Sequence, residues 1–447
     1  MNPPSRQRSL TSDYAYALVA RAASVVSSAA LTVLTARWLG VSDRGVYVLL
    51  STLVTVLWTA GNLGIGLGTT YHAGRGGHSL HVLRENALLS AAALGLPLAV
   101  IGYLVATSGL TTFAGISARL IAVAVLGVPA IMAAQFLGAL LLGAQLIREY
   151  NILLIVYSAI QLLLIGGVLL GGGSLGGALL AALASHWIWL AFSLRSATRL
   201  GPRIDTDHTN WTTWKAVFAY GLRGQLGNIV QLLNYRLDFF LVSSFLGPAS
   251  LAIYSVAVMV GESLWQLSNS MAVVLFPRVA ALAGNEDERR RILGTASRVA
   301  LGMTLSVALV VGFTAHLWVP RFFGVAYTEA AAVIRLLLPG VVLFTVQVVL
   351  SSGIAGAGFP EWNSYVAAVA LVLSVALDVW MIPRYGIPGA AVASSLTYGT
   401  STVLTIWNYR RLSRVSLREL LVPTPADVRM LLGSLQSLAS RRNAGAA

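Results

Sequence analysis

The chain has 447 residues, of which 57% are apolar and only 10% are Asp, Glu, Lys or Arg. Soluble domains average about 45–50% apolar with glycine counted, and ~25% charged, whereas here 43 glycines come on top of the apolar share. So few charges cannot coat a water-soluble fold of this size, which excludes a soluble enzyme and a disordered chain and leaves an all-α protein embedded in a bilayer.

The chain has no cysteine and six scattered His, so there is no disulfide framework and no Cys zinc site or thiol nucleophile. Phosphate-loop and nucleotide-binding motifs are missing. No metal site, cofactor or enzyme activity is expected.

A bilayer core about 30 Å thick takes ~20 apolar residues per helix. Twelve such stretches are predicted, at about 14–38, 46–69, 87–109, 117–143, 151–170, 175–199, 215–245, 250–276, 294–318, 328–352, 362–382 and 388–409. The first is too long for a cleavable signal, and no small-residue cleavage site precedes the next. Of the 30 basic residues, 21 fall on one side: the N-terminus, alternate loops and the tail. Only Arg44, Arg119, Arg321 and Arg384 fall in the opposite loops. This bias predicts both termini in the cytoplasm. It explains the net charge of +14 as a topology signal with attraction for anionic lipid heads, and not as a nucleic-acid footprint.

Spans 1–2 match spans 7–8 at an offset of 207: Leu39-Gly40 with Leu246-Gly247, Tyr47 with Tyr254, Leu57-Trp58 with Leu264-Trp265, and Asn62 with Asn269. Near an offset of 213, Gly143 falls on Gly356, and Gly177-Ala178 falls close to Gly389-Ala390. Two six-helix halves are expected, at 1–200 and 215–410. An inter-lobe cytoplasmic loop (201–214) and a cytoplasmic tail (411–447) complete the division. Six is an even number, so the pseudo-twofold should run along the membrane normal, with a substrate path between the lobes.

Charged and polar groups inside spans are costly, at about 2.5–3.5 kcal/mol for a charge at the bilayer centre, and so tend to face protein or water. In span 8, Ser255, Glu262, Gln266 and Asn269 fall within an arc of about 60° at 100° per residue. Thr52, Thr55, Thr59 and Asn62 form the matching stripe of span 2. Glu262 lies ~18 Å into its helix at 1.5 Å per residue, near the midplane. Either these stripes wall a hydrated cavity, or they are interhelical hydrogen-bond ladders. Span 7 carries Arg223, Gln225, Asn228, Gln231, Asn234, Arg236 and Asp238, too polar a set to face lipid. Arg21 either lines the path or snorkels to the interface. Arg335 and Asp378 suit structural pairing, and His186 reads as a core residue or a proton relay. The segment 284–291 is expected to be a solvated charged turn. Val428, Leu431, Leu432, Leu435 and Leu438 would share one face of an interfacial helix.

Several strings carry a resemblance: Ala36-Arg-Trp-Leu-Gly-Val-Ser-Asp-Arg-Gly-Val-Tyr47, Arg236-Leu-Asp-Phe-Phe-Leu…Leu246-Gly…Tyr254, Phe276-Pro277-Arg278, Gly324…Ala330-Ala-Ala-Val-Ile-Arg335 and Tyr385-Gly-Ile-Pro-Gly-Ala-Ala-Val-Ala393. In this order and spacing they resemble the polysaccharide transporter (oligosaccharide flippase) family, across about residues 10–410. Multidrug exporters and lipid II flippases share its superfamily. Lipid II flippases usually have fourteen spans, which sets that branch apart from twelve.

The resemblance implies a flippase of the cytoplasmic (inner) membrane. It would move a polyprenyl-diphosphate-linked oligosaccharide to the outer leaflet by alternating access. Its implied partners are that glycan and membrane lipids, with a glycan polymerase or glycosyltransferases beside it and no nucleic acid. Arg21, Arg223, Asn228, Arg236, Gln266, Asn269 and Asn62 are the candidate substrate-binding residues, and the guanidinium forks of the embedded arginines suit the diphosphate. Glu262 and Asp238 are the candidates for coupling to a proton or sodium gradient. The competing reading is a cation-coupled multidrug exporter.

Overall fold

The computed structural model describes residues 10–76, 78–200, 211–282, 285–422 and 424. The protein is all-α. Its helices are α1 (Leu10–Trp38), α2 (Val41–Gly61), α3 (Ile65–Arg75), α4 (Leu80–Thr107), α5 (Ala118–Val125), α6 (Val128–Gly143) and α7 (Ile147–Leu170). They continue with α8 (Leu175–Thr198), α9 (Trp211–Leu246), α10 (Pro248–Ala281), α11 (Glu286–Phe323), α12 (Ala330–Gly356), α13 (Pro360–Ser413) and α14 (Leu417–Leu421).

Among the described residues, eleven segments are long and apolar enough to cross a bilayer. The count of twelve is recovered at α13. A straight helix of its 54 residues would run ~80 Å at 1.5 Å per residue, against a hydrocarbon core of about 30 Å. Instead it divides at Gly386, where φ is +65° and ψ −148°, between Pro383 and Pro388. Only glycine adopts that backbone conformation readily, and other residues there cost about 1–3 kcal/mol. Gly386→Ala is therefore expected to lower the thermal midpoint of the purified protein, read by loss of the monodisperse peak after heating.

Two predicted segments differ from their expected form. The span predicted at 46–69 breaks after Gly61, because Leu63 and Gly64 both take positive φ (47° and 78°), and α3 starts afresh at Ile65. The charged segment expected as a turn is helical from Glu286 onward. Three carboxylates in the first turn suit the positive end of a helix dipole. Arg290–Asp287 (3.3 Å), Arg291–Glu288 (2.8 Å) and Arg289–Glu286 also pair at i, i+3.

The internal repeat extends to the helix boundaries. The α1–α2 and α9–α10 turns both pass through a left-handed glycine, Gly40 (φ 74°) and Gly247 (φ 84°). α2 plus α3 corresponds in extent to α10, and α5 plus α6 to α12. α7 and α8 correspond to the two arms of α13, with starting points Ile147 and Pro360 again 213 apart.

The helices form two compact units. Of the described residues, one holds those up to Ile253 with Phe322–Ala326, and the other holds those from Tyr254 to Arg321 and from Tyr327 onward. In the first, α6 is the buried centre, and Val128, Met132, Leu137 and Leu140 are fully buried. α9 packs in this unit against α2 and α3. The packing is backbone to backbone: a Cβ on Gly64 would lie 2.1 Å from the carbonyl carbon of Gly221, and one on Gly68 2.1 Å from the Val217 oxygen. Small residues four apart let membrane helices approach this closely. The second unit has its core around Leu293, Val346, Val349, Leu350 and Ile354, closed by Leu420 of α14. Residues 201–210 of the expected inter-lobe loop lie outside the described residues, as does the expected interfacial helix at 428–438.

Candidate functional site

Inside the first unit, α1, α2, α7 and α8 surround a cavity of about 560 Å³, completed by residues of α5 and α6. That volume is in the range of small-molecule sites. α1 contributes Ser24, Ser28, Thr32 and Thr35, spaced 4, 4 and 3 residues apart and hence on one helix face. Tyr47, Ser51, Thr55 and Trp58 come from α2, and Tyr157, Ser158 and Gln161 from α7. Helices built largely of Leu, Val and Ala carry these few polar side chains on the face turned to the cavity.

The cavity has a distinct hydrogen-bonding character. Thr32 donates to the Ser28 carbonyl (2.8 Å), Thr55 to that of Ser51 (2.9 Å) and Ser158 to that of Leu154 (2.9 Å). Each of these hydroxyls thus spends its proton on the preceding turn, and the oxygens keep lone pairs that accept from a guest. The Ser24 and Ser158 hydroxyls lie 3.2 Å apart and join α1 to α7. Tyr157 stacks on Trp189 with centroids 4.3 Å apart, and His186 lies 6.0 Å from the same tyrosine ring. Among the described lining residues the guanidinium is that of Arg44, which is 2% exposed and donates to the Ala252 carbonyl. No Asp or Glu is among the described residues that line the cavity. Its field favours an anionic or neutral, hydroxyl-rich guest over a cation.

The residues expected from the sequence are distributed as follows. In the first unit, Arg21 is exposed on α1. Asn62 sits at the break between α2 and α3, where its Oδ1 accepts from Gly66 N at 3.2 Å. On α9, Asn228 donates to Gln225 Oε1 at 3.4 Å, while Gln225, 2% exposed, donates to the Thr59 carbonyl at 2.6 Å. Arg236 donates to the Tyr235 carbonyl at 3.1 Å and stands 5.3 Å over the Phe239 ring. Asp238 is buried and accepts from Phe239 N at 2.8 Å. The side chain of Arg223 lies outside the described residues. In the second unit, Glu262, Gln266 and Asn269 are half-buried on α10, at the helical spacing read from the sequence. Asp378 is buried on α13 and accepts from Ser374 at 3.2 Å.

Among the described residues none of the substrate-binding candidates lines the cavity, whereas Thr55 of the span 2 stripe and His186 both do. The hydroxyl stripe of α1 was present in the sequence at helical spacing. Ser and Thr are common in membrane helices as packing residues, so only the opposing polar faces of α2 and α7 distinguish it.

A family model for the lipid II flippase MurJ matches residues 139–435, so the span count that was expected to set the chain apart from that branch does not do so. The putative O-antigen transporter of Shigella flexneri is 24% identical over 217 residues, 48% of this chain and 51% of that protein. The chain thus spans about half the length of the curated relative it matches. A lipid II flippase MurJ structure, in an inward closed conformation, superposes with a TM-score of 0.69 at 14% identity and covers 87% of this chain and 86% of that one. A multidrug resistance MATE family transporter of the MOP superfamily, in an inward-facing conformation, gives 0.68 at 16% identity, with 88% and 94% covered. At these identities the solved structures establish a shared fold.

Proposed function

Because the chain belongs to the lipid II flippase MurJ family, we propose that it carries a polyprenyl-diphosphate-linked oligosaccharide across the cytoplasmic membrane by alternating access, for surface polysaccharide synthesis. The observation that carries this reading is the cavity of the first unit, rich in hydroxyls and aromatic rings and free of carboxylates among its described lining residues. An unpaired hydroxyl in an apolar medium costs ~1–3 kcal/mol, so a head of several sugars would face tens of kcal/mol in bare lipid. Oxygen acceptors and aromatic faces offer sugar hydroxyls and C–H faces partners that lipid cannot, while the prenyl chain stays in the bilayer.

In this reading both termini are cytoplasmic. Arg21, Arg223, Arg236, Asn62, Asn228, Gln266 and Asn269 contact the moving head group. Glu262 and Asp238 link the cycle to a proton or sodium gradient, which supplies ~2.3 kcal/mol per charge per 100 mV. A cavity whose described lining carries a guanidinium and no carboxylate disfavours the cationic cargo of a multidrug exporter.

Proteoliposomes loaded with defined lipid-linked sugars provide the test. Flux is expected for diphosphate-linked glycans and not for cationic dyes. Arg236→Ala and Arg21→Ala are each expected to abolish surface polymer in cells while the protein level in the membrane stays the same. Normal polymer in both variants would remove the arginines from the path, and dye transport without glycan transport would reverse the reading.

A further inference from the structure

In the second unit, α11 and α12 enclose a groove of about 860 Å³. Leu305, Leu309, Phe313 and Leu343 line it and are exposed on the molecule's surface, Phe313 by 75%. At one end Arg335 of α12 donates from Nε to the Gly312 carbonyl at 2.9 Å, and its Nη2 lies 3.4 Å from Nδ1 of His316. No Asp or Glu is among the described residues of the groove.

The depth of these groups is informative. Arg335 lies five residues after the first residue of α12, and His316 seven before the last of α11, so both sit ~8–10 Å below the helix ends at 1.5 Å per residue. A solitary arginine at that depth ordinarily extends its stem and snorkels to water. Here Nε is tied to Gly312, a full turn deeper than His316, so the guanidinium stays within the groove. From His316 to Leu305 the groove runs eleven residues, or ~16 Å along α11, which is the depth of one leaflet in a hydrocarbon core of about 30 Å. An apolar channel one leaflet long with a cationic end is the negative image of a lipid with a phosphate head.

We propose that this groove holds one anionic diacyl phospholipid. An acyl chain lies along Leu305, Leu309 and Phe313, and the phosphate sits against Arg335. With Nδ1 of His316 accepting from Arg335, the imidazole proton resides on Nε2, which gives the phosphate a second donor. The guanidinium's planar fork supplies directional recognition that a lipid-exposed apolar surface lacks. Basic pockets between membrane helices recognise lipid head groups on the same principle. The site lies wholly within α11 and α12 and does not depend on the transport reading.

Native mass spectrometry of the full-length protein, in detergent with equal amounts of phosphatidylglycerol and phosphatidylcholine, tests this site. The unaltered chain is expected to retain one phosphatidylglycerol with at least a tenfold preference. Arg335→Gln should bring the preference close to one, and Leu309→Trp should reduce retention of both lipids. His316→Gln leaves the Arg335–Gly312 bond in place and should lower the preference several-fold, which keeps the test decisive if Arg335→Gln fails to fold. Equal retention of both lipids by the unaltered chain would overturn the proposal. So would an undiminished preference in the folded variants, or displacement of phosphatidylglycerol by a polyprenyl phosphate.

Discussion

Replacing Gly221 by valine is expected to cut the yield of folded, monodisperse protein at least tenfold. A Cβ at Gly221 would lie 1.9 Å from the carbonyl oxygen of Gly64, and one at Gly64 would meet the Gly221 backbone in return. Neither side offers a flexible side chain that could move aside, so α3 and α9 would have to separate. Overpacking a core costs typically 1–3 kcal/mol, occasionally more, and a backbone-to-backbone contact belongs at the upper end. The loss would also release Gln225 from the Thr59 carbonyl and leave that buried amide to find a new partner. Gly302 of α11 is the control, since nothing lies within 4 Å of a Cβ built there. In a helix interior alanine exceeds glycine by about 0.8–1.0 kcal/mol, so Gly302→Ala is expected to leave the yield unchanged or raise it. Size-exclusion fluorescence of tagged variants reads both signs in one experiment, and an unimpaired Gly221→Val would show that the α3–α9 contact is dispensable.

Gln161→Glu is expected to lower flux of a diphosphate-linked glycan by more than tenfold at neutral pH without loss of protein from the membrane. The substitution is nearly isosteric and places a carboxylate in the wall of a cavity that holds none among its described lining residues. Two like charges ~8 Å apart at an effective dielectric of about 20 repel by ~2 kcal/mol, which corresponds to a roughly thirtyfold effect. Protonation removes the charge, so flux should recover as pH falls toward the carboxyl group's pKa, whereas Gln161→Leu should show no such recovery. Reconstituted vesicles at two pH values distinguish these cases. Full activity of Gln161→Glu at neutral pH would mean that the anionic head group does not pass near this wall.

The sequence alone determined the class of protein, the approximate ends of its membrane helices and its internal repeat. These depend on local quantities. An apolar run either reaches the thickness of the bilayer or it does not, and Leu39-Gly40 and Leu246-Gly247 announce equivalent left-handed turns because glycine tolerates positive φ. The spacing of Glu262, Gln266 and Asn269 likewise placed them on one face, since helical periodicity is intrinsic to the backbone. Tertiary structure alone decided which polar stripes enclose space. The serines and threonines of α1 resemble ordinary packing residues until α2 and α7 present Tyr47, Ser51 and Gln161 to the same void. It also decided that α9 packs with the first unit, because Gly64, Gly68 and Gly221 become a contact only when two backbones approach closely enough to exclude every side chain. An enclosed volume and an excluded volume are properties of pairs of surfaces, and a single strand of residues carries only one surface of each pair.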